Sequence, residues 1–336
     1  MGRLCYTKQV KSLFLRPRLG ALPRRAAGAL AASALLLGAV RGPALAGVRD
    51  WNETLSPHFV VLHESAFAPS GVVLDLEKLH NRLRLDLSMF APWMAKERVK
   101  IYLYKTRESY LHGKFQPPSW STGIAVQEEK LIATFEFPSR EEFLDVIGHE
   151  LTHLLFEGYW AEVKKTPPVW LNEGLSMIEE SPDRSRPEKS RWYQAMAFLT
   201  DRTVIPLSRY VRMNPGRDLG SNKDAVTLWY VQAYSLVHFL YRRHTRLQFF
   251  NFCGLLRDGT RLERALWKVY RYQSLERLEA AWKRWLKLPD VRNKFLPQER
   301  APAISARAEA PDRGRKKSMN RVRFRTFHYR SLIPDE

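Results

Sequence analysis

The sequence predicts an α+β fold, with a small mixed β-sheet and helices in the N-terminal part and a mostly α-helical C-terminal half. Three observations carry that prediction. Short β-rich segments occur only before residue 139. Helical apolar periodicity dominates residues 139–290. The charge excess lies mainly outside both regions. The chain has 336 residues, with 55 Lys plus Arg against 35 Asp plus Glu, a formal +20. Residues 1–47 hold eight of the basic residues and no acid, and residues 291–336 hold twelve basic and five acidic ones. The body between them is nearly balanced. At 45% hydrophobic and 12% aromatic the composition is globular, which excludes a wholly disordered or collagen-like chain.

The elements follow in order. Residues 58–63 (HFVVLH) read as a short strand. Residues 72–90 carry Leu74, Leu79, Leu83 and Leu87 at near-helical spacing, an amphipathic helix. Residues 99–104 (VKIYLY) alternate and are β-rich, hence a strand. Residues 107–114 suit a short helix. In residues 121–137 two apolar runs flank Glu128-Glu129, the pattern of a hairpin. After residue 139 the chain reads as helix, broken near Pro167-Pro168, Pro182, Pro206 and Pro215-Gly216. No internal repeat is evident.

The ends read differently. A basic, acid-free lead ending in Arg24-Arg25 precedes an uncharged run over residues 26–40 and then Ala44-Leu45-Ala46. That layout predicts a secretory signal over 1–46, with a periplasmic or secreted product. The apolar run is shorter than the about 20 residues of a membrane span, and an uncleaved anchor is the alternative. Residues 48–290 form the expected domain, its α/β part at 48–138 and its helical part at 139–290. Residues 291–336 read as a disordered basic tail, which could contact an anionic membrane surface or an acidic partner. Within it, only residues 321–330 (RVRFRTFHYR) interleave aromatic and basic side chains, and no nucleic-acid motif is present, so nucleic acid is not an expected partner. Cys5 leaves with the signal, and Cys253, in an apolar stretch, is then a lone buried thiol.

The chemistry is concentrated in His149-Glu150-Leu151-Thr152-His153, an H-E-x-x-H run inside a helix pattern over 141–157. Ser139 followed by Glu142 is the spacing of a capping box. Positions i and i+4 share one helical face, so both imidazoles can reach a single Zn²⁺. Glu150 emerges beside them, placed for a metal-bound water. Twenty residues beyond His153 stands Glu173, one turn into a second helix that starts after Pro168. A carboxylate there can complete a His₂Glu site.

With these residues the sequence resembles the gluzincin metallopeptidases. H-E-L-T-H and the separation to Glu173 match the thermolysin pattern, and Trp170-Leu171-Asn172-Glu173-Gly174-Leu175-Ser176 resembles the glutamate helix of zinc aminopeptidases. Residues 55–290 resemble the bacterial "peptidase MA-like" domain. The resemblance implies a thermolysin-like architecture, one zinc per chain held by His149, His153 and Glu173, and Glu150 as general base. It also implies a tyrosine beside the developing oxyanion. Tyr230, in L-W-Y-V-Q-A-Y, matches that place, although Ala233 stands where the relatives have Gly. A Tyr simply packed between helices is the other reading, and Tyr234 and His238 share its helical face. Glu180, seven residues after Glu173, is the expected partner orienting a histidine; Met177 stands where thermolysin has its Asp, and Asn172 is expected to be structural. Residues 131–135 are the expected edge strand for an extended peptide or protein substrate. The aminopeptidases' Gly-x-Met-Glu-Asn motif is missing, which favours endopeptidase chemistry. His58, His63, His80, His112, His244 and His328 show no ligand spacing and read as ordinary. The expected function is thus an exported zinc metallopeptidase. The alternative is a zinc-containing envelope binding or scaffold protein without turnover.

Overall fold

The computed structural model describes residues 51–294, except 70, 120, 182–185 and 221. The signal expected over 1–46 and all but the first four residues of the expected tail lie outside the described residues. The first half contains β1 (Asn52–Leu55), β2 (Phe59–His63), α1 (Val72–Leu87), β3 (Val99–Tyr104), α2 (Arg107–Leu111), β4 (Gly123–Val126) and β5 (Leu131–Phe135). They form a mixed sheet in the order β1-β2-β3-β5-β4. β2 and β3 are parallel, and parallel neighbours need a crossover, which α1 supplies. β4 and β5 pair antiparallel across the Glu128-Glu129 turn, as the hairpin pattern predicts.

Alternation along the strands sorts the two faces. Phe59, Val61, Ile101, Leu103 and Ile132 join the main core with Leu76, Leu79, Leu83 and Leu87 of α1. Leu74, expected on that stripe, is 57% exposed, and Leu76 takes its place. The reason is periodicity: Leu74 and Leu79 are five residues apart, off a shared face, whereas 76, 79, 83 and 87 keep the three-or-four spacing of one stripe. On the opposite face Tyr104, Tyr110, Ile124, Ala133 and Phe135 form a smaller cluster, with α2 supplying Tyr110.

The substrate-strand expectation needs correction. β5 is hydrogen-bonded to β3 on one side and β4 on the other, and all five of its residues are buried. It is an interior strand; β4 is the sheet edge beside it. Burial on both faces demands its mainly apolar run, a pattern that does not mark an edge, and the one polar member, Thr134, donates to the Thr122 carbonyl at 2.7 Å.

The second half contains α3 (Arg140–Ala161), α4 (Val169–Glu180), α5 (Arg191–Ala195), α6 (Leu207–Tyr210), α7 (Pro215–Asp218), α8 (Lys223–Arg242), α9 (Arg246–Arg257), α10 (Leu262–Tyr270), α11 (Leu275–Leu286) and α12 (Pro289–Arg292). The break expected near Pro215-Gly216 is present, with residues 211–214 non-helical, and Pro215 then opens α7, where its fixed φ suits the first turn. α12 carries the order past residue 290, with Val291 buried. Cys253 is buried on α9, and burial pushes its thiol well above the usual range. Among the described residues no helix is long and apolar enough to cross a membrane.

Two features set the helices around the site. Gly174 lets α4 approach α8: a Cβ there would sit 2.4 Å from Val237 Cγ2 and 2.6 Å from the Ala233 carbonyl oxygen. At the far end of α4, Arg242 of α8 donates to Asp86 of α1 at 3.1 Å and to Glu179 of α4 at 2.9 Å. Both carboxylates are fully buried, and Asp86 pairs in addition with Arg246 at 3.2 Å, so this ion cluster ties the three helices together.

Candidate metal and active site

α3 begins where Ser139 caps it, its side chain accepting from the Glu142 backbone N–H at 3.3 Å, with Glu141 and Glu142 in the positive first turn. Ten residues into the helix stands His149, and His153 lies one turn further on the same face. Both are buried. Their Nε2 atoms are 3.0 Å apart. Glu173, from the first half of α4, brings Oε2 to 3.7 Å from His149 Nε2 and 3.8 Å from His153 Nε2.

That triangle can be tested for fit. Ligand atoms about 2.1 Å from a tetrahedral ion stand about 3.4 Å apart, and the three observed separations bracket that value. The tautomers agree with it. His149 Nδ1 is 2.7 Å from Glu180 Oε1, which keeps the proton there and leaves Nε2 with its lone pair. His153 Nδ1 lies 3.2 Å from the Ser176 hydroxyl, with the Asn172 side chain acting on the same ring. Two ring nitrogens facing each other at 3.0 Å repel unless a cation or a proton stands between them. Without a metal they share one proton. Burial alone would lower the His149 pKa, but the hydrogen bond and charge of Glu180, with Glu173 and Glu150 behind it, push it up to about 9. Burial and the charge on His149 push His153 down to about 3. The buried His/His/Glu group can therefore hold a metal ion.

Glu150 occupies the rim. It is partly exposed, and edge strand β4 lies directly against it. A Cβ on Gly123 would come within 2.9 Å of Glu150 Cγ and 3.2 Å of its Oε1, so only glycine lets the strand pass this close. Loss of solvent raises the carboxyl to about 7, against the pull of His149 and with Glu173 and Glu180 adding to the rise. A carboxyl near neutrality can both take and return a proton at ordinary pH.

Glu180 is the hub behind the histidines. Besides His149 it accepts from Trp192 Nε1 at 2.7 Å and from Arg191 at 3.1 Å, both on α5. Burial disfavours its charge, but Arg191, His149 and Trp192 more than offset this and hold its carboxyl below the usual range. Tyr230 is buried on α8, its ring 6.5 Å from that of Trp192. Tyr234 and His238, on the same helical face, are engaged elsewhere. The Tyr234 hydroxyl interacts with Ser190, and His238 stacks on Trp285 at 5.6 Å with Tyr193 at its edge.

The scan against family models matches residues 87–288, described as "Peptidase MA superfamily". The match spans more than half of the chain.

The chain belongs to the peptidase MA superfamily.

Members of this superfamily are typically zinc-dependent peptidases, which agrees with the buried His/His/Glu group. No curated protein matches the sequence. The structure thus brings together the His149, Glu150, His153, Glu173 and Glu180 that the motifs single out. Sequence reasoning missed Ser176, Trp192 and Arg191 and gave Asn172 only a structural part. Ser176 was findable, because it lies three residues after Glu173 on one helical face. Trp192 and Arg191 carry no local signal; a tertiary contact across the loop after α4 puts them on Glu180.

Proposed function

We propose that the chain is an exported, zinc-dependent metallopeptidase of gluzincin type that hydrolyses peptide bonds within its substrates. The observation that carries this reading is the donor triangle of His149, His153 and Glu173 with Glu150 at its rim. A zinc ion bound there would lower the pKa of a water and polarise a carbonyl. The chain's own groups do the rest. Glu180, Trp192 and Arg191 hold the His149 ring in one tautomer and orientation. Ser176 and Asn172 do the same for His153. Glu150 takes a proton on its carboxylate and returns it to the leaving amine. Tyr230 is the proposed hydrogen-bond donor to the charge that develops on the substrate oxygen.

An extended peptide laid along the edge of β4 passes over Glu150, which Gly123 allows. Backbone pairing there would select little by sequence. Export rests on the signal pattern over 1–46, and the absent aminopeptidase motif supports internal cleavage. The test is purified protein assayed for bound zinc and for cleavage of peptides blocked at both termini. Chelator-sensitive cleavage restored by zinc is expected. A zinc-loaded protein that cleaves no member of a diverse peptide library would overturn the proposal and leave the scaffold function.

A further inference from the structure

The histidines that the sequence reading treats as ordinary include a pair that is not. Glu77 and His80 lie three residues apart on α1 and share a face. His58, just before β2, reaches across to them. Its backbone N–H donates to Glu77 Oε1 at 3.0 Å, and its Nδ1 stands 2.6 Å from Glu77 Oε2. The rings of His58 and His80 stack at 3.7 Å, inclined by 15°. His80 Nε2 lies 2.8 Å from the Met94 carbonyl, so that nitrogen carries the proton and Nδ1 presents a lone pair. His80 is 1% exposed, and its Nδ1 has no hydrogen-bond partner among the described residues.

A buried acceptor without a partner costs free energy that a neutral apolar residue would avoid. A second imidazole and a carboxylate stand beside this residue, and one donor atom from each of the three lies within 4.8 Å of the others. We propose that His58, Glu77 and His80 form a second divalent-metal site, taking a borderline ion such as Zn²⁺ or Co²⁺. For an ion to bind, the proton between His58 Nδ1 and Glu77 Oε2 must leave Nδ1, and His58 binds as the tautomer with its proton on Nε2. The Met94 carbonyl already fixes the His80 tautomer in the way metal-bound histidines are fixed.

For both lone pairs to reach one ion the rings must tilt out of their stack. His58, 26% exposed, and Glu77, 17% exposed, lie on the open side that gives the room and leaves space for water ligands. The ion would tie the start of β2 to α1. All three residues precede residue 87, where the family match begins, so the site belongs to this chain's N-terminal part and not to the matched domain.

The test counts metal in the full chain equilibrated at micromolar free Co²⁺ or Zn²⁺, by mass spectrometry and by cobalt absorbance. His58→Ala and His80→Gln should each lose one equivalent per chain relative to the parent. His149→Ala/His153→Ala should retain the equivalent that His58→Ala removes, which separates this site from the proposed peptidase centre. If His80→Gln, altered in the core, fails to fold, the partly exposed His58→Ala decides. An unchanged metal count in a folded His58→Ala protein would overturn the proposal.

Discussion

Replacing Glu180 with Gln removes one charge and keeps the shape, and its effect can be worked from the geometry. The carboxylate serves three donors: His149 Nδ1 at 2.7 Å, Trp192 Nε1 at 2.7 Å and Arg191 at 3.1 Å. A carboxylate can accept from all of them. An amide can accept only through its oxygen, so its NH₂ must face either His149 Nδ1–H or the Trp192 and Arg191 donors. In one orientation the imidazole loses its anchor; in the other a buried indole N–H loses its acceptor. Removing such a partner typically costs about 10–100-fold in metal affinity, or about 1.4–2.8 kcal/mol. A chelator-competition titration of zinc against wild type and Glu180→Gln measures it. Equal affinities in the two proteins would refute the claim that Glu180 orients His149.

Other outcomes follow from neighbouring contacts. Arg242→Met removes the cation shared by Glu179 and Asp86 while Arg246 stays on Asp86, and equilibrium denaturation should show a loss of about 3 kcal/mol, the low end for a broken buried pair; a loss under about 1 kcal/mol would deny the cluster its structural role. Gly174→Ala places a methyl against Val237 and the Ala233 carbonyl, so α4 must shift, at a cost of about 1–3 kcal/mol visible in the melting temperature. An unchanged melt would show that α4 and α8 have slack. Asp145, one turn before His149, is pushed up to about 7 by burial and by the charge of Glu180. A carboxyl raised in the fold costs stability once it must ionise, so that cost develops as pH rises from about 4, the unfolded value, to about 7. In metal-free protein the stability advantage of Asp145→Asn over wild type should therefore grow across that window, and a difference independent of pH would contradict it.

Particular residues show how far the sequence could lead. β3 is found over the same residues, 99–104, because it alternates cleanly and ends in turns. The H-E-x-x-H spacing needs only helical geometry to bring His149 and His153 together, and Ser139 marks the helix start. Glu173 and Glu180 follow from face counting on one further helix. What stayed hidden depends on which segments meet in space. The hairpin was legible, but not that β5 would pair again with β3, which exchanges edge and interior strands. Ion partners such as Asp86 and Arg242, 156 residues apart, leave no periodic trace. The same holds for His58, whose alignment with Glu77 and His80 depends on where β2 docks on α1.

The central claim is that Glu150 moves the proton while His149, His153 and Glu173 hold the metal. Zinc content and peptide cleavage measured side by side for wild type and Glu150→Gln test it most directly. The variant should bind zinc like wild type and cleave about 10²–10⁴-fold more slowly. Cleavage at the wild-type rate by the zinc-loaded variant would contradict it.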